Sequence, residues 1–299
     1  MREVGVKAEP TILVTGVNGQ VGFELLRSLQ GLGRVVACDR SMLDLSDLDR
    51  VRSFVRDLKP SIIVNPAAYT AVDKAETDVA AARHLNADVP RVFAEEAVRS
   101  GAALIHYSTD YVFDGTKEGA YVETDATNPQ NVYGLTKLEG EQAIAAIGCA
   151  HLILRTSWVY GRRGKNFLLT MLKLGAERPE LKVVADQIGA PTWSKTIAVV
   201  TSHIVAQAMA ETDSDWWARH SGIYHFTSAG ATSWYGFAEA IFAKAMSERV
   251  PKVLPIPASE YPVPAKRPAN SRMSHDKLIE AFGVRLPTWD DALELCLSE

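Results

Sequence analysis

A tyrosine and a lysine four positions apart, Tyr133 and Lys137, are the residues whose types and spacing best suit catalysis. The spacing places both side chains on one face of a predicted helix. A nearby ammonium favours the phenolate and lowers the tyrosine pKa from about 10, so Tyr133 could give a proton to a carbonyl near neutral pH. Thr109 ends a predicted strand upstream and could polarise that carbonyl, with Ser108 as the alternative. The set predicts ketone reduction, although a surface Tyr–Lys pair has the same spacing.

A glycine motif near the N-terminus could hold the hydride donor that such a reduction needs. Glycines at 16, 19 and 22 follow an apolar run over 11–15 and open a helical pattern over 21–29. The first allows a tight turn, the second a close approach of the backbone to a pyrophosphate, and the third close packing of helix on strand. The free N–H groups of the helix start favour an anion. The predicted contacts are Gly16, Asn18, Gly19, Gln20, Val21 and Gly22.

Asp39 and Arg40, at the end of the second predicted strand, bear on which dinucleotide binds. A carboxylate there suits a free ribose 2′-OH, and an arginine suits a 2′-phosphate. Because both are present, the choice between NADH and NADPH stays open.

Strand and helix patterns alternate through the first half of the chain and then loosen. The patterns predict strands at 34–38, 62–64, 102–106 and 151–154, and helices at 48–58, 75–99 and 135–147. Such alternation predicts a Rossmann-type α/β fold, a doubly wound parallel sheet with helices on both faces. Later helices are expected at 167–175, 194–209 and 233–246, and a proline-dense loop at 251–268. We expect an extension over 1–10, a mainly dinucleotide-binding domain over 11–160, and a smaller, mainly substrate-binding C-terminal lobe over 161–299, with some segments returning to the first domain.

Composition limits the class of protein and its partners. The chain has 299 residues, 47% hydrophobic and 23% charged, with a net charge of −4 and no long basic run. These values argue against nucleic acid or an anionic membrane as partner. The three cysteines, Cys38, Cys149 and Cys296, are scattered and form neither a metal cluster nor a disulfide framework, which favours a reducing cytoplasm.

Several longer strings go beyond the glycine motif, whose spacing resembles that of extended short-chain dehydrogenases/reductases. Together they resemble the dTDP-4-dehydrorhamnose reductases over roughly residues 11–295. The strings are GQVG at 19–22, AAYTAVDKAE at 67–76, YSTDYVF at 107–113, NVYGLTK at 131–137, LRTSWVY at 154–160, DQIGAPT at 186–192 and RPANSR at 267–272.

The resemblance implies reduction of the C4 ketone of dTDP-4-dehydro-L-rhamnose to dTDP-L-rhamnose with NADPH or NADH. It makes Tyr133 the proton donor, Lys137 its activator and Thr109 the carbonyl partner. It also implies cofactor contacts from Asp44, Leu45, Ala67, Ala68, Tyr69 and Tyr107. The implied substrate contacts are Thr70, Val72, Ser108, Thr109, Asp110, Trp158, which would stack, and Arg267, which would bind a phosphate.

Three alternatives share these motifs. A sister reductase would act on another dTDP-4-keto-deoxy sugar. A dehydratase is disfavoured because Tyr111 replaces the glutamate that dehydratases carry there, and an epimerase would retain its dinucleotide. The regulatory subunit of methionine adenosyltransferase resembles this family and binds dinucleotide, but the intact Tyr133, Lys137 and Thr109 set argues for turnover.

Some relatives dimerise through Mg²⁺; Glu24 could ligate it, but Lys195 opposes a cation. We therefore expect no metal and a monomer or weak homodimer.

Overall fold

The short apolar runs of the first half form the central strands. The computed structural model describes residues 9–211, 213, 215–246 and 250–299, so residues 1–8 of the expected extension lie outside the described part. The strands, in chain order, are β1 (Thr11–Val14), β2 (Arg34–Ala37), β3 (Ile62–Asn65), β4 (Ala103–Thr109), β5 (His151–Thr156), β6 (Val159–Tyr160), β7 (Glu180–Val184), β8 (Ile188–Gly189), β9 (Thr192–Trp193), β10 (Gly222–His225), β11 (Thr232–Ser233) and β12 (Lys252–Ile256).

Six of these strands form one sheet in the order β10-β5-β4-β3-β1-β2. All neighbours in it run parallel. Every residue of β3 and β4 is buried, as expected when helices cover both faces of a parallel sheet. The strand order reverses between β1 and β3, which is where open α/β sheets bind ligands. The predicted Rossmann-type fold is confirmed.

The helices divide between the two faces of this sheet and a separate lobe. They are α1 (Gln20–Ser28), α2 (Leu48–Leu58), α3 (Val72–Ala75), α4 (Val79–Arg83), α5 (Val89–Ser100), α6 (Val132–Ile147), α7 (Phe167–Glu177), α8 (Ser194–Ala210), α9 (Trp216–Arg219), α10 (Trp234–Ala245), α11 (Asp276–Phe282) and α12 (Trp289–Ser298). Helices α1, α8 and α11 bury apolar side chains on one face of the sheet, and α2, α5 and α6 on the other. Helices α7, α10 and α12 pack with β7 and β9 in a separate core.

Two segments differ from the sequence-based expectations. The region 75–99 is not one helix, because α4 passes into a π-helical turn, His84–Asp88, before α5. Pro90, in the first turn of α5, has no N–H to continue a regular helical ladder. The proline-dense segment 251–268 was expected as a loop, but β12 pairs in parallel with β7 within it. Pro255 is tolerated there because a two-stranded sheet leaves its N–H side unpaired.

Residues after 161 contribute both to the packing on the central sheet and to the separate core formed by α7, α10 and α12. Strand β10 extends the central sheet and α8 covers one of its faces. None of the described helices is long and apolar enough to cross a bilayer.

Candidate active site

A cleft of about 1000 Å³ lies at the carboxyl ends of the central strands. Its walls are the glycine turn after β1, the loops after β2 and β3, the end of β4, the first turns of α6 and the segment after β5. The volume suits ligands of dinucleotide and sugar-nucleotide size, since drug-sized pockets fill roughly 300–1,000 Å³.

The glycine turn is built so closely that side chains are excluded from it. Gly16 has a φ of 57°, and a Cβ there would lie 2.9 Å from the backbone of Ala67. A Cβ on Gly22 would lie 2.3 Å from the carbonyl oxygen of Gly16, whereas one on Gly19 would lie 3.2 Å from that oxygen and more than 4 Å from other non-neighbouring atoms. Helix α1 starts directly after Gly19, with no side-chain cap on its first N–H groups. These groups can therefore face a pyrophosphate.

The ribose end of the cleft carries both Asp39 and Arg40. Asp39 Oδ1 accepts hydrogen bonds from Ser41 N at 2.9 Å, Ser41 Oγ at 2.6 Å and Met42 N at 3.1 Å. These bonds lower the Asp39 pKa, with Ser41 as the largest cause, and they leave Oδ2 for another donor. The side chain of Arg40 is 84% exposed and lies 3.6 Å from Asp44. Both alternatives for the 2′ position thus remain physically available.

The first turn of α6 fixes the position of Tyr133. The Asn131 side chain caps the helix by accepting from Gly134 N at 2.8 Å and donates to the Lys266 carbonyl at 2.8 Å. Burial raises the pKa of the Tyr133 phenol, Asp110 and Tyr111 raise it further, and a hydrogen bond with Thr109 opposes them. Burial sets the direction of this shift, and the lowering of the Tyr133 pKa by Lys137 stays a prediction. Tyr133 therefore stays a protonated acid near neutral pH.

Lys137 is directed toward β4. Its Nζ donates to the Tyr107 carbonyl at 2.5 Å and lies 3.1 Å from His106 Nε2. Burial lowers the Lys137 pKa to about 7, against an opposing effect of Glu141. Near neutral pH the ammonium and the free amine are therefore both populated.

Thr109 and Asp110 form a buried polar pair beside Tyr133. Thr109 Oγ1 donates to Asp110 Oδ1 at 3.0 Å and accepts from Tyr111 N at 3.2 Å. Ser271 Oγ donates to Asp110 Oδ2 at 2.5 Å. Burial raises the Asp110 pKa to about 6. Thr109 can polarise a carbonyl once its proton turns from Asp110 toward that carbonyl.

Two further hydroxyls face the cleft with no partner among the described residues. Ser108 Oγ and Thr156 Oγ1 are buried and unbonded, and both residues line the cleft. Since buried polar groups are nearly always satisfied, these two fit a polar ligand. Sequence reasoning missed Thr156, although it lies opposite Thr109 in the β4–β5 register.

Trp158 enters the cleft from the segment after β5 in a constrained geometry. Its φ is 48°, a left-handed value that is uncommon outside glycine. Its indole stacks on Trp234 with centroids 3.5 Å apart and planes at 9°. A Cβ on Gly189 would lie 2.7 Å from the same indole. Trp158 is thus held against Trp234 and Gly189 of the C-terminal lobe.

The structure brings all but two of the predicted site residues to this cleft. Those that line it are Gly16, Asn18, Gly19, Gln20, Val21, Gly22, Asp39, Arg40, Asp44, Leu45, Ala67, Ala68, Thr70, Val72, Tyr107, Ser108, Thr109, Asp110, Tyr133, Lys137 and Trp158. The sequence did not indicate Thr15, Lys165 and Tyr111 as ligand contacts: Thr15 and Lys165 belong to no catalytic or binding motif, and Tyr111 bore only on the choice against a dehydratase.

Tyr69 and Arg267 do not line the cleft. The Asn86 amide binds both backbone groups of Tyr69, at 2.8 and 3.2 Å, and the phenol donates to Asp78 at 3.0 Å. Arg267 donates to Asp73 Oδ2 and to Tyr111 Oη, each at 2.8 Å. Tyr111 is a wall residue, so Arg267 stands directly behind the wall.

Comparisons with known proteins agree with this geometry. The family described as the RmlD substrate binding domain matches residues 10–299. A dTDP-4-dehydrorhamnose reductase of Burkholderia thailandensis is 53% identical, over 96% of this chain and 98% of that protein. The chain belongs to the dTDP-4-dehydrorhamnose reductase family.

Solved structures of this family share the fold. The dTDP-4-dehydrorhamnose reductase of Clostridium acetobutylicum superposes with a TM-score of 0.89 at 38% identity, covering 96% of this chain and 98% of that one. The Bacillus anthracis enzyme of the same name, solved in complex with NADP, gives 0.89 at 34% identity, covering 97% and 99%.

Proposed function

We propose that this chain reduces the C4 ketone of dTDP-4-dehydro-L-rhamnose to dTDP-L-rhamnose with NADPH or NADH, the last step of dTDP-rhamnose synthesis. The observation that carries the proposal is that Tyr133, Lys137 and Thr109 line the same cleft as the glycine turn. The 53% identity to a relative named for this reaction supports the sugar substrate.

The residues present fit a nicotinamide dinucleotide. The turn from Gly16 to Gly22 would hold the pyrophosphate at the start of α1, and Asp39 or Arg40 would contact the 2′ position. Ala67 and Ala68 close the cleft where the glycine turn contacts the loop after β3. The bound cofactor supplies the hydride for C4. A relative solved with NADP supports NADPH, and Asp39 keeps NADH open.

The side chains around Tyr133 supply the proton. As charge develops on the C4 oxygen, the Tyr133 phenol donates its proton to it, and Thr109 donates a hydrogen bond to the same oxygen. An ammonium on Lys137 stabilises the phenolate that remains. The high Tyr133 pKa, raised by burial, keeps the acid protonated before each turnover.

The substrate contacts are proposals that the geometry supports to different degrees. Trp158, clamped against Trp234, presents a flat apolar face for a sugar or base. Ser108 and Asp110, with Thr70 and Val72 nearby on the wall, suit the sugar hydroxyls. Arg267 already binds Asp73 and Tyr111, so it would reach a diphosphate only by exchanging one of these partners.

The proposal also covers the oligomeric state and the cellular location of the protein. We infer a monomer or weak homodimer. Among the described residues no group of three or more His, Cys, Asp or Glu could hold a metal, and Lys195 pairs with Glu299 beside Glu24. Gel filtration with and without Mg²⁺ tests this inference. A cytoplasmic location fits three separate, buried free thiols.

A coupled assay tests the reaction. The 4-keto-L-sugar nucleotide would be made in situ from dTDP-glucose by a dehydratase and a 3,5-epimerase, and NADPH and NADH loss followed by absorbance. We expect rapid loss with dTDP-L-rhamnose as product, and the two rates would rank the cofactors. Dinucleotide binding without loss would contradict the proposed substrate and favour a sister sugar or a regulatory binder.

A further inference from the structure

A chain of buried side chains runs from Lys137 across the centre of the sheet. His106 Nε2 lies 3.1 Å from Lys137 Nζ, His106 Nδ1 lies 3.2 Å from Asn65 Nδ2, and Thr15 Oγ1 donates to Asn65 Oδ1 at 2.6 Å. The four residues come from β4, α6, β3 and the end of β1. None is more than 1% exposed. Buried polar groups must satisfy one another, so the proton positions along this chain are linked.

The count of protons restricts this chain to two arrangements. Burial lowers the His106 pKa well below its ordinary value, so the ring is neutral and carries one N–H. If Lys137 is an ammonium it can only donate, so Nε2 must accept and the proton must sit on Nδ1. Asn65 then turns its amide oxygen to Nδ1 and its amide nitrogen to Thr15 Oγ1, which reverses both bonds given above; the O and N of an amide are assigned from the network. The other arrangement, with Nε2–H, requires an uncharged Lys137.

Few other groups are placed to keep Lys137 charged. The Tyr107 carbonyl accepts one of its protons at 2.5 Å. Glu141, one turn along α6, favours the charge, but Arg155 binds both its oxygens at 2.9 and 2.6 Å and offsets it. The titratable and charged groups around Lys137 are His106 and Tyr107 on β4, Arg155 on β5, Tyr133 and Glu141 on α6, and Asp110 and Tyr111 after β4, of which the last two act on Tyr133.

We propose that His106 is a positioning residue for the reduction. As the Nδ1–H tautomer it accepts a hydrogen bond from Lys137 Nζ, keeps that side chain charged and holds it beside Tyr133. The proposal rests on the proposed reductase function. His106 lies on β4, outside the catalytic set. Its proposed role is to preserve the positive charge on Lys137 that stabilises the Tyr133 phenolate.

Two isosteric substitutions separate the two ends of the ring. His106→Gln leaves an amide near the Nε2 position, within reach of Lys137, whereas His106→Asn leaves one near Nδ1, facing Asn65. The ammonium is present below its pKa and lost above it, so losing its acceptor moves that loss to lower pH. We expect the basic limb of the kcat profile to move down by about one pH unit in His106→Asn, as for one lost charged hydrogen bond. His106→Gln should retain the wild-type limb, and KM for the sugar nucleotide should change little in both.

His225→Asn is the matched control. His225 lies on β10 of the same sheet and is also fully buried, but its Nδ1 contacts the Ser274 carbonyl. It measures what losing any buried imidazole does to folding, and its pH profile should match the wild type. An unchanged basic limb in folded His106→Asn, or a move to higher pH, would overturn the proposal.

The tautomer is measured directly by nitrogen NMR of the full-length protein labelled at histidine, with His106→Asn to assign the signal. We expect Nδ1 protonated and Nε2 unprotonated at a pH below 7, where Lys137 carries its charge. A protonated Nε2 there overturns the proposal. This measurement needs no substrate, so it decides the role of His106 even if the wild type fails to reduce the sugar nucleotide, which would count against the proposed function alone.

Discussion

Replacing Tyr133 by phenylalanine removes one oxygen from the centre of the site and leaves the ring packing in place. The ring meets Tyr111 edge-on, with centroids 5.5 Å apart at 79°, and phenylalanine keeps that contact. The hydroxyl that this substitution removes forms a hydrogen bond with Thr109. Thr109 retains Asp110 at 3.0 Å and Tyr111 N at 3.2 Å, so no buried group is left unsatisfied.

The effects on folding and on turnover should therefore differ widely. One lost hydrogen bond with its partner still satisfied costs about 1 kcal/mol or less, which a domain with about 5–15 kcal/mol of stability tolerates. Loss of the general acid should lower kcat by about 10²–10⁴-fold, equivalent to about 3–5 kcal/mol in the barrier.

The assay is single-turnover reduction of the 4-keto sugar nucleotide at saturating NADPH, with dinucleotide affinity from fluorescence titration. Tyr224→Phe is the control, because its hydroxyl also donates one hydrogen bond, to the His220 carbonyl at 2.8 Å, but outside the cleft. We expect unchanged affinity in both variants and lost turnover in Tyr133→Phe alone. Wild-type turnover in Tyr133→Phe would refute the assignment of the proton donor.

Four further substitutions test the cofactor cradle, the substrate wall and the buried ion pair. Gly22→Ala should destabilise the fold by about 1–3 kcal/mol, because its Cβ would lie 2.3 Å from a backbone oxygen. Gly19→Ala should fold normally and lose NADPH affinity. Thermal melts measure the first effect and NADPH titrations the second. Trp234→Ala should raise KM for the nucleotide sugar roughly two- to tenfold by freeing Trp158, without changing KM for NADPH. Glu141→Gln should lower the free energy of unfolding in urea by about 3–5 kcal/mol, since it leaves a buried arginine unpaired.

The elements were predictable because their signals are local. The buried strands carry continuous apolar runs, and the predicted bounds of the helix at 48–58 match α2. The interruption at 84–88 was not predictable, because it depends on a tertiary contact. A Cβ on Gly140 of α6 would lie 2.1 Å from the Asn86 carbonyl, and the Asn86 side chain binds Thr136 and Tyr69. Pro90 interrupts the helical ladder locally, and the π-helical turn places Asn86 for these tertiary contacts.

The same limit separates the site residues that sequence could place from those it could not. The glycine turn reached its expected position because backbone geometry alone demands glycine there. Tyr69 and Arg267 do not line the cleft, because their side chains bind other partners: Asp78, nine residues from Tyr69, and Asp73, which is distant in sequence from Arg267. A motif gives the type of a residue but not its competing partners.

The charge state of the catalytic pair shows why burial must be known before chemistry is assigned. From sequence, Lys137 should lower the pKa of Tyr133, because two groups in water interact mainly through their charges. In the structure Lys137 is buried and Tyr133 is half-buried, and desolvation raises the pKa of the tyrosine and lowers that of the lysine. Both shifts favour the neutral forms, and the pair can act only if neighbours restore the lysine charge. Among the described neighbours, the neutral imidazole of His106 lies 3.1 Å from Nζ and can change its proton position, as the proposal for His106 requires. Strand β4 carries buried polar side chains as well as buried backbone, and that feature of its sequence points to His106.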